Sequence, residues 1–393
     1  MANVSSSNGL EKYPRLRFKG FSDPWKVGTA EELFDNVVDK NHPEETVLTI
    51  IQGQGTLPRE AAGRNIHYDT ESLSGYKRVM KNDYVIHLRS FEGGLEIANS
   101  QGIVSPAYTI LRSKKPCAPL FFDSYFHTDE FINHVLYKAV EGIRDGRQIS
   151  YEAFKWLSIP YCSLEEQSQI AAFLEKINLR IEKQRSLVEH LKKYKRGVSN
   201  RFFNDKVVSN CPTVLPFGQA VMINPKTKSL PSEFIYIDLE SVESGKLLHE
   251  NIISRDKAPS RAQRVLSKGD VLFQMVRPYQ KNNFYFESEL TLPSVASTGY
   301  AQIRCNENDP LFVYEQISSD YFANQAMLRS TGTGYPAINA DGLAQIPFIK
   351  LPIEEQQKTG KFLYLLSQRI IQEECKLNSL LKVKTAILQS LFI

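Results

Sequence analysis

Four clusters of basic and hydrogen-bonding residues carry most of the chemistry this sequence can offer. They are Lys77-Arg78 with Lys81 and Arg89; Arg112 with Lys114 and Lys115; Lys257 with Arg261 and Arg264; and the run Arg277, Tyr279, Gln280, Lys281, Asn282. Lysine supplies a point charge for phosphate, whereas arginine, glutamine and asparagine carry fixed donor and acceptor patterns suited to base edges. Two further loops contain glycines that let backbone approach a phosphate closely. One is Gly142–Gln148, with Arg144 and Arg147; the other is Thr331–Pro336, with Thr333 and Tyr335. Any one cluster reads equally well as a solvated surface loop. Their matching placement in both halves of the chain favours a nucleic-acid surface, with Arg277, Gln280 and Asn282 as the candidates for base discrimination.

Residues for other chemistry do not assemble. No [DN]PP[FYW] tetrapeptide marks an amino-methyltransferase site, no GxGxxG opens a helix after a strand, and no GxxxxGK[ST] phosphate loop occurs. Glu374-Cys375-Lys376 has the spacing of half a nuclease site but falls on the charged face of a long helix. His127 and His134 offer no paired metal-ligand spacing. The expectation is a chain with no catalytic residue, no metal and no cofactor of its own.

The elements that would position these loops follow from an internal repeat. Leu164-Glu165-Glu166-Gln167 recurs as Ile353-Glu354-Glu355-Gln356, an offset of 189 residues. The same offset aligns Phe173-Leu174 with Phe362-Leu363, Arg180-Ile181 with Arg369-Ile370, and Phe203 with Phe392. Each copy begins with a Pro-flanked apolar run and enters an acidic helix start. Ser163 is placed to cap that start with Glu166 at the capping-box position.

The helix that follows carries a heptad. Ile170, Leu174, Ile177, Ile181, Gln184, Val188, Leu191, Lys195, Val198 and Phe202 alternate steps of four and three. The second copy reads Thr359, Leu363, Leu366, Ile370, Glu373, Leu377, Leu380, Lys384, Ile387 and Leu391. This is the spacing of a coiled-coil seam. In an antiparallel pair whose facing residue numbers sum to 568, Lys195 meets Glu373, Gln184 meets Lys384, and the apolar layers fall together. The competing arrangement is two amphipathic helices, each packed on its own domain.

Length and composition agree. At 393 residues the chain suits two domains, and 42% hydrophobic with 23% charged residues is a globular mixture. A net charge of +4 is too small to identify a nucleic-acid binder, so the local placement of charge has to decide. The five cysteines form no CxxC pair, and no run approaches the length of a membrane span, so a cytoplasmic, nucleoid-associated protein is expected. The fold class is α/β (α+β), divided into a first recognition domain (1–155), a first helix segment (156–206), a second recognition domain (207–345) and a second helix segment (346–393).

Three motifs together resemble the specificity subunits of type I restriction–modification systems. They are the opening run Pro14 to Trp25 (PRLRFKGFSDPW), the segment Gly269 to Tyr279 (GDVLFQMVRPY), and the EEQ helix entry in both copies. In the first half, Asn82-Asp83 stands where Gly-Asp is usual, and Ser163 where proline often precedes the helix. The resemblance implies two target recognition domains, each reading half of a split site in double-stranded DNA, with paired helices as spacer. Half-sites about one DNA turn apart, roughly 34 Å, would present the same groove face. It also implies two methyltransferase subunits and restriction subunits as partners; S-adenosylmethionine, ATP and Mg2+ would bind to them. Two other readings stay open: a structural coiled-coil adaptor whose domains bind protein, and a specificity module of a related phage-defence system.

Overall fold

The computed structural model describes residues 2–3, 13–62, 70–142, 147–211, 213–227, 229–287 and 290–393. The chain divides into two compact units, one of Met1–Gln184 with Lys376–Ile393 and one of Arg185–Cys375. Two 39-residue helices, Leu164–Phe202 and Ile353–Leu391, pass from one unit to the other. At 1.5 Å per residue each is about 58 Å long.

The heptad is the line along which both helices are buried. All ten seam residues of the first helix, Ile170 to Phe202, are buried or half-buried, and so are all ten of the second, Thr359 to Leu391. In the first unit, Ile387, Leu388 and Leu391 share a core with Ile170, Leu174 and Ile177. In the second, Phe203, Val198 and Phe202 share one with Leu363 and Tyr364. The start of one helix thus packs with the end of the other in each unit, the order an antiparallel coiled coil requires.

One polar seam pair, Lys195 with Glu373, departs from the expected partners. Lys195 Nζ meets Glu315 at 2.9 Å, and Glu373 is held by Arg369, one turn earlier on its own helix, at 2.8 Å. Glu315 is fully buried on the helix Pro310–Ile317, so it competes for the lysine in a drier environment than a seam offers. Lys192 and Glu374, just outside the seam, form an ion pair between the two long helices, at 2.8 Å.

Each unit is built on a four-stranded antiparallel sheet of the same order. In the first the strands run Phe34–Val37, Thr109–Ser113, Tyr84–Ile86, Glu96–Ile97. In the second they run Met222–Ile223, Tyr300–Arg304, Val271–Gln274, Phe284–Tyr285. The second unit adds another sheet of four strands, containing one parallel pair, Glu233–Ile237 beside Ser294–Ser297.

The turn entering the middle strand explains the Asn-Asp and Gly-Asp dipeptides. Asn82 (φ 75°) and Gly269 (φ 90°) both take the left-handed conformation, which glycine adopts freely and asparagine tolerates better than other residues. The aspartates that follow close the turns by accepting from Met80 N and Ser267 N, each at 2.8 Å. They also grip the adjacent strand: Asp83 takes two hydrogen bonds from Arg112 (2.8 and 2.7 Å), and Asp270 takes them from Arg304 (3.0 and 2.9 Å).

The EEQ entry docks each long helix on its domain. Gln167 accepts from Ala118 N (3.2 Å) and donates to Cys162 O (2.9 Å); Gln356 accepts from Asp309 N (3.0 Å) and donates to Leu351 O (2.8 Å). Ser163 caps the first helix, since Glu166 N donates to its hydroxyl, but the expected reciprocal half of the capping box is missing. The Glu166 carboxylate instead takes the buried Arg17 guanidinium at 2.7 and 2.8 Å and Trp25 Nε1 at 3.4 Å. The opening motif and the helix entry are therefore two sides of one buried contact. At Gly360 the second helix passes so close to the backbone of Leu311 and Phe312 that an added Cβ would lie 2.4 Å from Phe312 N.

Candidate nucleic-acid interface

In the second unit the strand Val271–Gln274 leaves the sheet into the loop that carries Arg277 to Asn282. Arg277 and Lys281 both sit at φ 54°, the left-handed region, so backbone and side-chain contacts must hold the loop in shape. Gln274, almost fully buried, does this from beneath. Its Nε2 donates to Gln280 Oε1 (2.8 Å), its Oε1 accepts from Asn282 N (3.0 Å), and its backbone N donates to Asn283 Oδ1 (2.9 Å). Asn283 in turn donates to Ile317 O and Ser318 Oγ, both at 3.3 Å.

The second glycine-containing loop folds onto the first. Arg277 N donates to Pro336 O (2.7 Å), and the Arg277 guanidinium lies over the Tyr335 ring, 4.3 Å from its centroid. Bridges Val276↔Ala337 and Thr331↔Ala337 close the junction. Two segments far apart in the chain, singled out separately in the sequence, thus form one surface. Tyr279 and Tyr335 stand largely exposed on it. Lys281 is bound to Asp320, which Arg196 of the first long helix also holds at 2.9 Å. Burial raises the Asp320 carboxyl, but the two cations outweigh it and leave it below the ordinary aspartate value.

The first unit brings the corresponding loops together with the roles exchanged. Arg147, from the loop before the first long helix, lies over the Phe91 ring at 4.3 Å, and Phe91 follows the strand Tyr84–Ile86. Arg89, beside it, is exposed and 3.9 Å from Glu92. Arg144 lies outside the described residues.

Several of the expected contact residues have partners within their own domain. Arg112 is committed to Asp83, because a bidentate carboxylate within the sheet offers its guanidinium more than solvent does. Arg78 is held by Glu45 at 3.2 Å and Asp39 at 3.9 Å, and Lys77 donates to Tyr108 O at 2.5 Å; burial lowers the Lys77 pKa. Lys114 sits 3.5 Å from Asp35. Arg264 is half-buried, and the cost of burying its charge lowers its pKa. Lys81, Lys115, Lys257, Arg261 and Thr333 are exposed. Sequence reasoning missed Gln274 and Phe91, while Asn283 closes the basic run that begins at Arg277. Gln274 ends an apolar strand and reads as spacing, and Phe91 is signalled only by its nearness to Arg89.

A buried ionisable cluster in the first unit was also not anticipated. Glu96 accepts from Gly53 N (2.7 Å) and Gly55 N (2.9 Å), and its Oε1 lies 3.2 Å from His127 Nε2. Burial pulls the His127 imidazolium down, but the Glu96 bond and the Asp123 charge outweigh it and lift its pKa to about 9. The cluster ties the hairpin turn at Gly53–Gly55 to the sheet. Among the described residues, no group of three or more His, Cys, Asp or Glu side chains is arranged to hold a metal.

No family model matches the chain. It is 25% identical over 234 residues to the type I restriction enzyme MjaVIII specificity subunit of Methanocaldococcus jannaschii, a match covering 53% of this chain and 55% of that one. It is 22% identical over 262 residues to a putative type I specificity subunit of Mycoplasma genitalium, covering 63% of this chain and 64% of that one. The crystal structure of a type I restriction–modification S subunit from M. genitalium superposes with a TM-score of 0.60 at 18% identity, covering 97% of this chain and 99% of that one. The chain resembles type I specificity subunits and has their fold. A second solved chain, from a study of complex assembly and conformational transition of the type I R-M system, gives a TM-score of 0.51 at 16% identity, covering 94% of this chain and 97% of that one. The matched stretches span about half to two-thirds of the curated specificity subunits' length. Among the described residues, no helix is long and apolar enough to cross a membrane.

Proposed function

We propose that this chain is the non-catalytic, sequence-specific DNA-binding subunit of a type I restriction–modification complex, each recognition domain reading one half of a bipartite site. The observation that carries this reading is the convergence of two loops in each unit through an arginine–aromatic stack, Arg277 over Tyr335 and Arg147 over Phe91. In the second unit, stacking occupies the flat face of the Arg277 guanidinium and leaves its N–H edge for hydrogen bonding. The exposed lysines Lys81, Lys115 and Lys257 would add salt-dependent attraction to phosphate. Two adenine methyltransferase subunits would dock with the chain and bring S-adenosylmethionine. Restriction subunits would add ATP- and Mg2+-dependent cleavage.

Co-purification of the full chain with a methyltransferase, followed by mapping of methylated adenines in the host genome, tests this. The expected result is one bipartite motif whose two halves are separated by a fixed gap. Absence of a methyltransferase partner together with no salt-dependent, bipartite DNA binding would favour the adaptor reading instead.

A further inference from the structure

We infer that Arg277, Gln280 and Asn282 turn hydrogen-bond donors outward, so that the second recognition domain selects a guanine, and that buried Gln274 sets this polarity. The inference rests on the DNA-reading function proposed above. An amide side chain is ambiguous until a one-way partner fixes it, and a backbone N–H is such a partner because it can only donate. Asn282 N donates to the Gln274 oxygen at 3.0 Å, which assigns that oxygen and leaves the Gln274 nitrogen as donor. That nitrogen lies 2.8 Å from Gln280, so Gln280 must offer its oxygen inward and keep its NH2 for an outside partner.

Asn282 is fixed in the same way. Ser244 N donates to its oxygen at 3.2 Å, leaving its NH2. Arg277 has donors only, and among the described residues its guanidinium meets no carboxylate. Three side chains of one loop have thus spent or lack their acceptors. In the major groove, guanine is the base that shows two adjacent acceptors, O6 and N7. The bidentate glutamine–adenine contact needs an outward oxygen to accept from N6, and Gln280 has turned its oxygen inward. Cytosine presents its N4 donor to the same edge and would leave the loop's donors unpaired.

The polarity can be reversed at Gln274 without touching the reading surface. In Gln274→Glu both side-chain oxygens accept, so Gln280 must turn its NH2 inward and its oxygen outward. The experiment selects duplexes from a randomised 40-base-pair library with the full chain in complex with its methyltransferase partner, comparing wild type, Arg277→Ala, Gln280→Ala, Gln274→Glu and Gln274→Met. The expected wild-type motif contains a guanine whose preference falls about tenfold or more in Arg277→Ala, in line with the loss of one bidentate contact. Gln280→Ala weakens the same or the neighbouring position. Gln274→Glu moves the preference there towards adenine or cytosine, and Gln274→Met, which keeps the volume and removes the amide, broadens it; circular dichroism confirms that each variant is folded.

A motif with no guanine in the half affected by Arg277→Ala overturns the inference. So does an even loss of affinity across all sequences in Arg277→Ala and Gln280→Ala, which would make these donors phosphate contacts. Selection of no motif at all by the wild type would instead overturn the DNA-reading function itself.

Discussion

The Arg277 guanidinium lies over the Tyr335 ring at 4.3 Å, and the other unit repeats the contact with its partners exchanged, Arg147 over Phe91 at the same distance. In one unit the cation comes from the loop after the middle strand and the ring from the loop before the long helix. In the other unit these positions are reversed. A cation and a ring are needed to lock two loops together, but either loop can supply either group. The scaffold can thus stay constant while the surface it presents changes.

Tyr335→Leu should loosen Arg277 without unfolding the domain, because Tyr335 is largely exposed. A cation–π contact at such a site contributes about 0.5–1 kcal/mol, so affinity for the selected duplex should fall a few-fold in a titration, while Tyr335→Phe retains it. An unchanged affinity in Tyr335→Leu would show that the stack does not position the arginine for DNA.

Arg112, first counted among the DNA contacts, should behave as a residue of the sheet. Asp83→Ala removes the turn closure at Met80 N and the bidentate partner of Arg112 together. Losing hydrogen bonds to a buried charged group costs about 2–3 kcal/mol, read as a lower urea midpoint. Arg112→Ala should lower the midpoint at least as much, since it leaves the buried Asp83 carboxylate with Met80 N and no cation, and should leave the selected DNA motif unchanged. A changed motif would return Arg112 to the reading surface.

Lys195 and Glu315 test the seam. Lys195→Met leaves the buried Glu315 carboxylate with Ser367 Oγ and no cation, at a cost of about 3 kcal/mol. The double variant with Glu315→Gln should recover most of it, because no uncompensated charge remains. If Lys195→Met were neutral in thermal unfolding, the lysine would be solvated rather than paired.

His127 should make the first unit less stable in mild alkali. Its pKa is lifted from 6.5 to about 9 on folding, so the stability it adds is complete below pH 6.5, declines between 6.5 and 9, and is gone above 9. Asp123, raised by burial to about 6, loses its contribution between about pH 4 and 6, below that window. His87 also faces the cluster, but burial lowers its pKa. Both tryptophans of the chain, Trp25 and Trp156, lie in this unit, so their fluorescence in urea at pH 6.5 and 9.5 measures the change. His127→Gln should flatten the dependence; an equal drop in this variant would assign it to other groups.

The sequence by itself determined whatever repeats with a period. The heptad named the twenty residues that line the buried seam, because a helix projects every third or fourth side chain to one side whatever else it touches. The 189-residue offset showed that one scaffold is used twice, and the asparagine and glycine before Asp83 and Asp270 marked turns that need a positive φ.

Only the tertiary structure decided which polar groups are spent on the protein itself. Nothing in the chain order shows that Arg112 is consumed by Asp83, that Lys195 prefers Glu315, or that Glu166 turns away from its cap to Arg17. Charge partners are chosen by distance and burial among segments far apart in sequence, and those quantities exist only once the chain has folded. The same holds for Arg277 and Tyr335, which local sequence could nominate separately but only the folded loops could bring together.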